Sequence, residues 1–204
     1  VTYRGYTVLE LEPDRVDGGT SDTTSRTLFE MNSQTGVRDV AAAASADEGL
    51  FEFAWSCVTR DEVAALRAFV IAQLGRAVPF WCATWTRAFE LAADHGAGVS
   101  IITVESHGYA ANVYPVGRAR RHVAIRAPGG AFTYRQITHA VDNGDGTESL
   151  SLEYPVAEAL PRETFISFLR FSRLDTDEPK IEWLGGHTAS ALIPMRELPQ
   201  EVPA

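Results

Sequence analysis

The chain has 204 residues, 45% of them hydrophobic, enough to build a sizeable core without a disulfide or metal staple. A formal net charge of −9 argues against specific nucleic-acid binding, because phosphate affinity comes from Lys and Arg. No run of ~18 apolar residues is present, so no membrane-inserted helix is expected, and the opening VTYRGYTVLEL lacks the basic-then-apolar order of a secretory signal.

In chain order, Tyr6 to Leu11 alternates and is rich in β-formers, which predicts a strand ended by Pro13. Asp14 to Ser25 is dense in Asp, Gly, Ser and Thr and reads as a loop, a first candidate arm. Thr27 to Met31 and Val37 to Ala44 are short strands about the turn NSQTG. Leu50 to Val58 alternates, with Phe51, Phe53 and Trp55 on one side, and suits a central strand. The strongest element follows. Thr59 and Glu62 form a capping box, Asp61 and Glu62 favour the helix N-terminus, and Val63, Leu66, Val70 and Leu74 recur at spacings of three and four. Phe69 lies on the flank of that face, and Gly75 is placed for a left-handed cap. The helix is therefore predicted over 60–74.

Val78 to Trp85 (VPFWCATW) is a second aromatic strand. Short strands are expected at Phe89 to Ala92 and Val99 to Val104, and Ser106 to Gly117 is irregular, a second candidate arm. Ala119 to Ala127, Ala131 to Val141 and Glu148 to Tyr154 form a meander with explicit glycine turns. Phe165 to Arg173 alternates strongly, and Ile181 to Leu184 and Ala191 to Leu198 are the last strands. About a dozen short strands against one helix predict a mainly β chain, a sandwich or split β-barrel. The expected organisation is a core of 1–106 and 161–204 with 107–160 as an inserted small β-domain.

No chemical motif emerges from the reactive residues. Asp142, Asn143 and Asp145 with their glycines have the wrong spacing for a calcium loop and read as a hairpin turn. His95, His107, His122, His139 and His187 form no metal-ligand spacing. Cys57 and Cys82 read as buried thiols, with a bond between paired strands left open. Arg118, Arg120 and Arg121 alternate with apolar residues, as on the solvent face of a strand start. The carboxylate pairs Glu10 and Glu12, or Glu105 and Glu153, are of the type that cleaves glycosides, but no spacing sets them across a cleft. No cofactor, metal or catalytic residue is assigned.

A resemblance adds to this reading. A helix carrying Phe69, followed by Gly75-Arg76, Pro79-Phe80-Trp81 and Thr84-Trp85, resembles the tail-tip proteins of long-tailed bacteriophages and gene transfer agents. Gly144-Asp145-Gly146-Thr147-Glu148 before Leu150 and Leu152 resembles their inserted β-unit. The segment from Phe168 through Arg173, Leu174 and Asp175 to Asp177, with Glu197-Leu198, resembles their closing segment. The signature residues are thus Thr59, Glu62, Gly75, Arg76, Phe80, Trp81, Trp85, Arg173 and Asp175. In that family the strand often ends in Trp-Asp or Lys-Asp, whereas here Trp85-Thr86-Arg87 follows.

The resemblance implies a non-enzymatic structural protein of the virion, made in the bacterial host cytoplasm. It would form a ring, a cyclic trimer or hexamer, joining the tail tube protein to the hub or receptor-binding apparatus. A net acidic charge would let such a ring repel passing DNA. The alternative is a carbohydrate- or receptor-binding β-module with Trp85, Tyr109 and Tyr114 in an exposed groove. A cell-wall hydrolase using Glu105, Glu153 or a histidine is a third reading without a motif.

Overall fold

The computed structural model describes residues 1–14, 21–25, 28–32, 38–42 and 48–203. The chain is mainly β, as its alternating segments predict. It folds as two compact units. The first holds Val1–Glu10 and Trp81–Phe171, and the second Leu11–Phe80 and Ser172–Glu201.

In the first unit, β1 (Thr2–Tyr3) and β2 (Tyr6–Leu9) form a hairpin, and β2 runs parallel to β7 (Phe80–Ala83). From β7 the order continues through β12 (Phe165–Leu174), β9 (His122–Arg126), β10 (Thr133–Asp142) and β11 (Thr147–Val156) to β8 (Val99–Glu105). The strands of the predicted meander thus pair outside it: β9 with Phe165 to Phe168 of β12, and β11 with β8. The division into units consequently falls elsewhere than the insertion expected over 107–160. Phe89, Leu91, Val104, Ile125, Leu150 and Ile166 lie in one buried cluster.

Local chemistry fixes the turns of this unit. Asp142, Asn143, Asp145 and Thr147 close the β10–β11 hairpin: the Gly144 amide donates to Asp142 Oδ1 at 2.8 Å and the Thr147 amide to Asp145 Oδ1 at 3.0 Å. Gly144 and Gly146 take φ of +76° and +88°, where a Cβ would be strained. The segment Ser106 to Gly117 does not reach outward as an arm; it contains a π-helical turn, Tyr109–Val113, anchored by the buried Tyr109 ring. The basic cluster precedes β9 rather than starting it. Arg121 lies 4.3 Å over the Tyr114 ring, a cation–π contact.

In the second unit, β14 (Ala189–Glu197) runs antiparallel to β6 (Glu48–Cys57) from Ala189↔Cys57 to Arg196↔Leu50. The other side of β14 is shared by β13 (Ile181–Trp183) and the end of β12. Residues Ser21 to Ser25, expected in a loop, form β3 and pair with β6. Residues 15–20 of that expected arm lie outside the described residues, as does most of the NSQTG turn. Strands β4 (Leu28–Asn32) and β5 (Arg38–Ala42) form a separate two-stranded sheet.

The helix α1 (Arg60–Ala72) begins as its sequence predicts. The Thr59 hydroxyl accepts from the Glu62 amide at 3.2 Å, and Glu62 Oε2 accepts from the Thr59 amide at 3.1 Å. Those backbone donors hold the Glu62 carboxyl below its usual range. Val63, Leu66 and Val70 are buried, and α1 packs on β6, whose Phe51, Phe53 and Trp55 are buried in turn. Leu74, expected on the buried face, is 70% exposed. The helix has already ended, Leu74 and Gly75 adopt left-handed φ of +50° and +65°, and Gln73 takes the buried position.

Candidate functional site

The signature residues fall into two groups. In the second unit, the Gly-Arg pair that follows the helix meets the acidic segment just after β12, across a hundred residues of sequence. The Arg76 amide donates to Asp177 Oδ1 at 3.0 Å, and its Nε and Nη2 donate to Oδ2 at 3.1 and 2.8 Å. This fork lowers the Asp177 pKa, chiefly through the side-chain hydrogen bonds, and raises that of Arg76. Gly75 is required by the approach: a Cβ there would lie 2.6 Å from Asp177 Oδ1. Asp175 is held by Arg196 Nε at 2.9 Å, and Arg173 is the strand partner of Arg196. Phe80 is buried edge-on against Phe69 at 5.0 Å.

A groove of about 320 Å³ opens beside this corner, lined by Val63, Arg67, Val70 and Ile71 of α1 and by Pro179, Ile181 and Trp183. Ile71 is 62% and Trp183 53% exposed, and the adjacent Leu184 is 70% exposed. These apolar side chains form a rim rather than scattered single residues, and such clustering marks interaction surfaces.

In the first unit, Trp81 is fully buried, donates from Nε1 to the Tyr3 carbonyl at 3.1 Å, and packs on His122 and Phe171. Trp85 is 4% exposed, sits at φ +57°, and packs on Phe132. This corrects its expected place in an open groove. Tyr109 is likewise buried, with its hydroxyl donating to the Arg120 carbonyl at 2.8 Å and its ring against Phe89. Burial raises its pKa well above the usual phenol range. Tyr114 is half-buried between Arg121 and the Thr138 carbonyl, which accepts its hydroxyl. Trp85 and Tyr109 are thus buried in packing contacts, and Tyr114 is engaged by Arg121 and the Thr138 carbonyl.

The reactive groups are similarly engaged. Glu105 pairs with Arg162 at 3.3 Å, Glu153 with Arg4, and Glu10 accepts from the Tyr134 hydroxyl. Burial pushes the Cys82 thiol up to about 12 and raises Cys57, so both are protonated at neutral pH and poor nucleophiles. Both thiols are free, with β6 pairing β3 and β14 and β7 pairing β2 and β12. Among the described residues no three His, Cys, Asp or Glu converge as metal ligands, and no helix is long and apolar enough to cross a membrane.

One group that sequence reasoning passed over is His122. It is wholly buried, with Nδ1 3.0 Å from the Tyr3 hydroxyl and Nε2 without a partner among the described residues. Arg4 Nε donates to the Tyr3 oxygen, so the phenol proton is directed at Nδ1 and the Nε2–H is the orphan. Burial first, then Arg4 and Arg121, pushes its pKa down to about 4. Nothing local to His122 announces this; the contact with Tyr3 spans 119 residues.

Neither a protein-family model nor a curated protein sequence matches the chain.

Proposed function

We propose that this protein is a non-enzymatic structural component of a phage tail tip. It would form a ring that joins the tail tube to the hub or receptor-binding apparatus. The observation that carries this reading is the exposed apolar pair Ile71 and Trp183 along the groove between α1 and β13. A subunit that grips the next one in a closed ring needs such a heterologous surface. The Gly75-Arg76 and Asp177 clamp fits the same reading, because it locks the chain that borders the rim. The reactive groups support it from the other side, since both thiols are buried and Glu105 and Glu153 are each paired with an arginine.

Mass photometry across a concentration series tests it. The expected outcome is a discrete trimer or hexamer, converted to monomer by Trp183→Glu, which places a charge on the apolar rim. A monomer at every concentration, or an oligomer unchanged by Trp183→Glu and Ile71→Glu, refutes the reading.

A further inference from the structure

Asn143 is followed by Gly144 in the turn between β10 and β11, whereas Asn32 and Asn112 are followed by Ser33 and Val113. We propose that Asn143 is a self-modification site: Thr147 and Ser149 hold it closed, and opening of the turn converts it to aspartate or isoaspartate.

The reaction consumes only water. The Gly144 backbone nitrogen gives up its proton and attacks Cγ of the Asn143 amide. A C–N bond forms and closes a cyclic imide, the Cγ–Nδ2 bond breaks, and ammonia leaves with the proton. Water then opens either imide carbonyl, which gives aspartate or isoaspartate. Water enters, ammonia leaves, and nothing is oxidised or reduced. Glycine suits the nucleophile, because no Cβ crowds its nitrogen. Both residues are exposed, so water reaches them.

The folded turn opposes both the electrophile and the nucleophile. Asn143 Nδ2 donates to Thr147 Oγ1 at 2.9 Å, and Ser149 Oγ donates to Asn143 Oδ1 at 3.0 Å. The Thr147 hydroxyl proton is committed to Asp145 Oδ1 at 2.6 Å, so towards Asn143 this oxygen only accepts, which fixes the way the amide faces. Both polar atoms of the Asn143 side chain are therefore held by β11 rather than free to swing onto Gly144. The Gly144 amide donates to Asp142 Oδ1 at 2.8 Å, and a carboxylate at that distance disfavours the amide anion that the attack requires. The Asp145-Gly146 step beside it behaves differently. The Thr147 hydroxyl and amide hold the Asp145 carboxyl below its usual range, so it stays ionised, and a carboxylate is a poor electrophile.

The change is not undone, because the ammonia is lost. The new carboxylate replaces the Nδ2 donor of Thr147 and adds a negative charge beside Asp142 and Asp145. Isoaspartate also inserts a carbon into the backbone next to the closing pair Asp142↔Glu148. The turn is thereby loosened for good.

The same hydrogen bonds would be present if they served only to close the hairpin, so the test reads a rate. The full chain is incubated in mildly alkaline buffer. Deamidation at Asn143 is followed by peptide mapping with mass spectrometry, and isoaspartate by enzymatic carboxyl methylation. Conversion should be at least tenfold faster in guanidinium chloride than in the folded chain, as loss of several hydrogen bonds implies. Thr147→Val and Ser149→Ala, each shown to be folded by circular dichroism, should convert faster than wild type. Asn143→Gln, whose longer side chain closes an imide slowly, should abolish the signal. If a variant fails to fold, the comparison of folded and unfolded wild type still decides. Equal rates in folded and unfolded wild type, the wild-type rate in either folded variant, or no conversion at Asn143 in the unfolded chain overturns the proposal.

Discussion

Acidification should remove a defined share of the stability through His122. In the folded chain this imidazole is neutral, with a pKa that burial pushes from its ordinary value of 6.5 down to about 4. In the unfolded chain it titrates near 6.5, so between these values the unfolded state binds more protons. The contribution is therefore complete above pH 6.5, is lost as the pH falls towards 4, and is constant below it. At about 1.4 kcal/mol per pH step, the loss over this window is about 3 kcal/mol. That is a large fraction of the roughly 5–15 kcal/mol by which a typical domain is stable.

The control is His122→Phe, which keeps an aromatic ring against Trp81, 4.7 Å away between centroids, and removes the titration. The variant gives up the acceptor for the Tyr3 hydroxyl at a pH-independent cost of about 1 kcal/mol. Urea unfolding of both proteins from pH 7.5 to pH 4.5 then isolates the histidine, because the carboxylates titrate alike in each. The gap between wild type and variant should shrink and reverse as the pH falls. Parallel loss of stability in the two proteins would refute the argument that the neutral, buried imidazole is what acid attacks.

Two further substitutions test the second unit. Gly75→Ala should destabilise by about 1–2 kcal/mol through its left-handed backbone, and by more because the new Cβ would meet Asp177 Oδ1 at 2.6 Å. In an Asp177→Ala background the same change should cost less, and an identical cost by chemical denaturation would show that the contact is irrelevant. Leu66→Ala removes a 1% exposed side chain under the helix. It should cost about 3 kcal/mol in urea unfolding, and a change below about 1 kcal/mol would mean that α1 is not packed as described.

The amino-acid sequence by itself determined what depends on neighbours a few residues apart. The Thr59 and Glu62 box, the buried face of Val63, Leu66 and Val70, the alternation of Phe51, Phe53 and Trp55, and the Asp142 to Glu148 turn are all short-range patterns. Leu74 was misread because apolar spacing carries no mark of where a helix stops, and Gly75 was one residue too late to mark it.

Tertiary structure alone decided what depends on partners far along the chain. The meander was expected as a separate insertion, yet its outer strands find partners in β8 and β12, because backbone pairing has no sequence code of its own. Trp85, Tyr109 and Tyr114 carry the composition of a sugar platform, and only their contacts with Phe132, Phe89 and Arg121 assign them to packing. The Arg4–Glu153 pair was invisible for the same reason. It joins the first turn of the chain to a strand more than a hundred residues away, and only folding brings the two charges within hydrogen-bond reach.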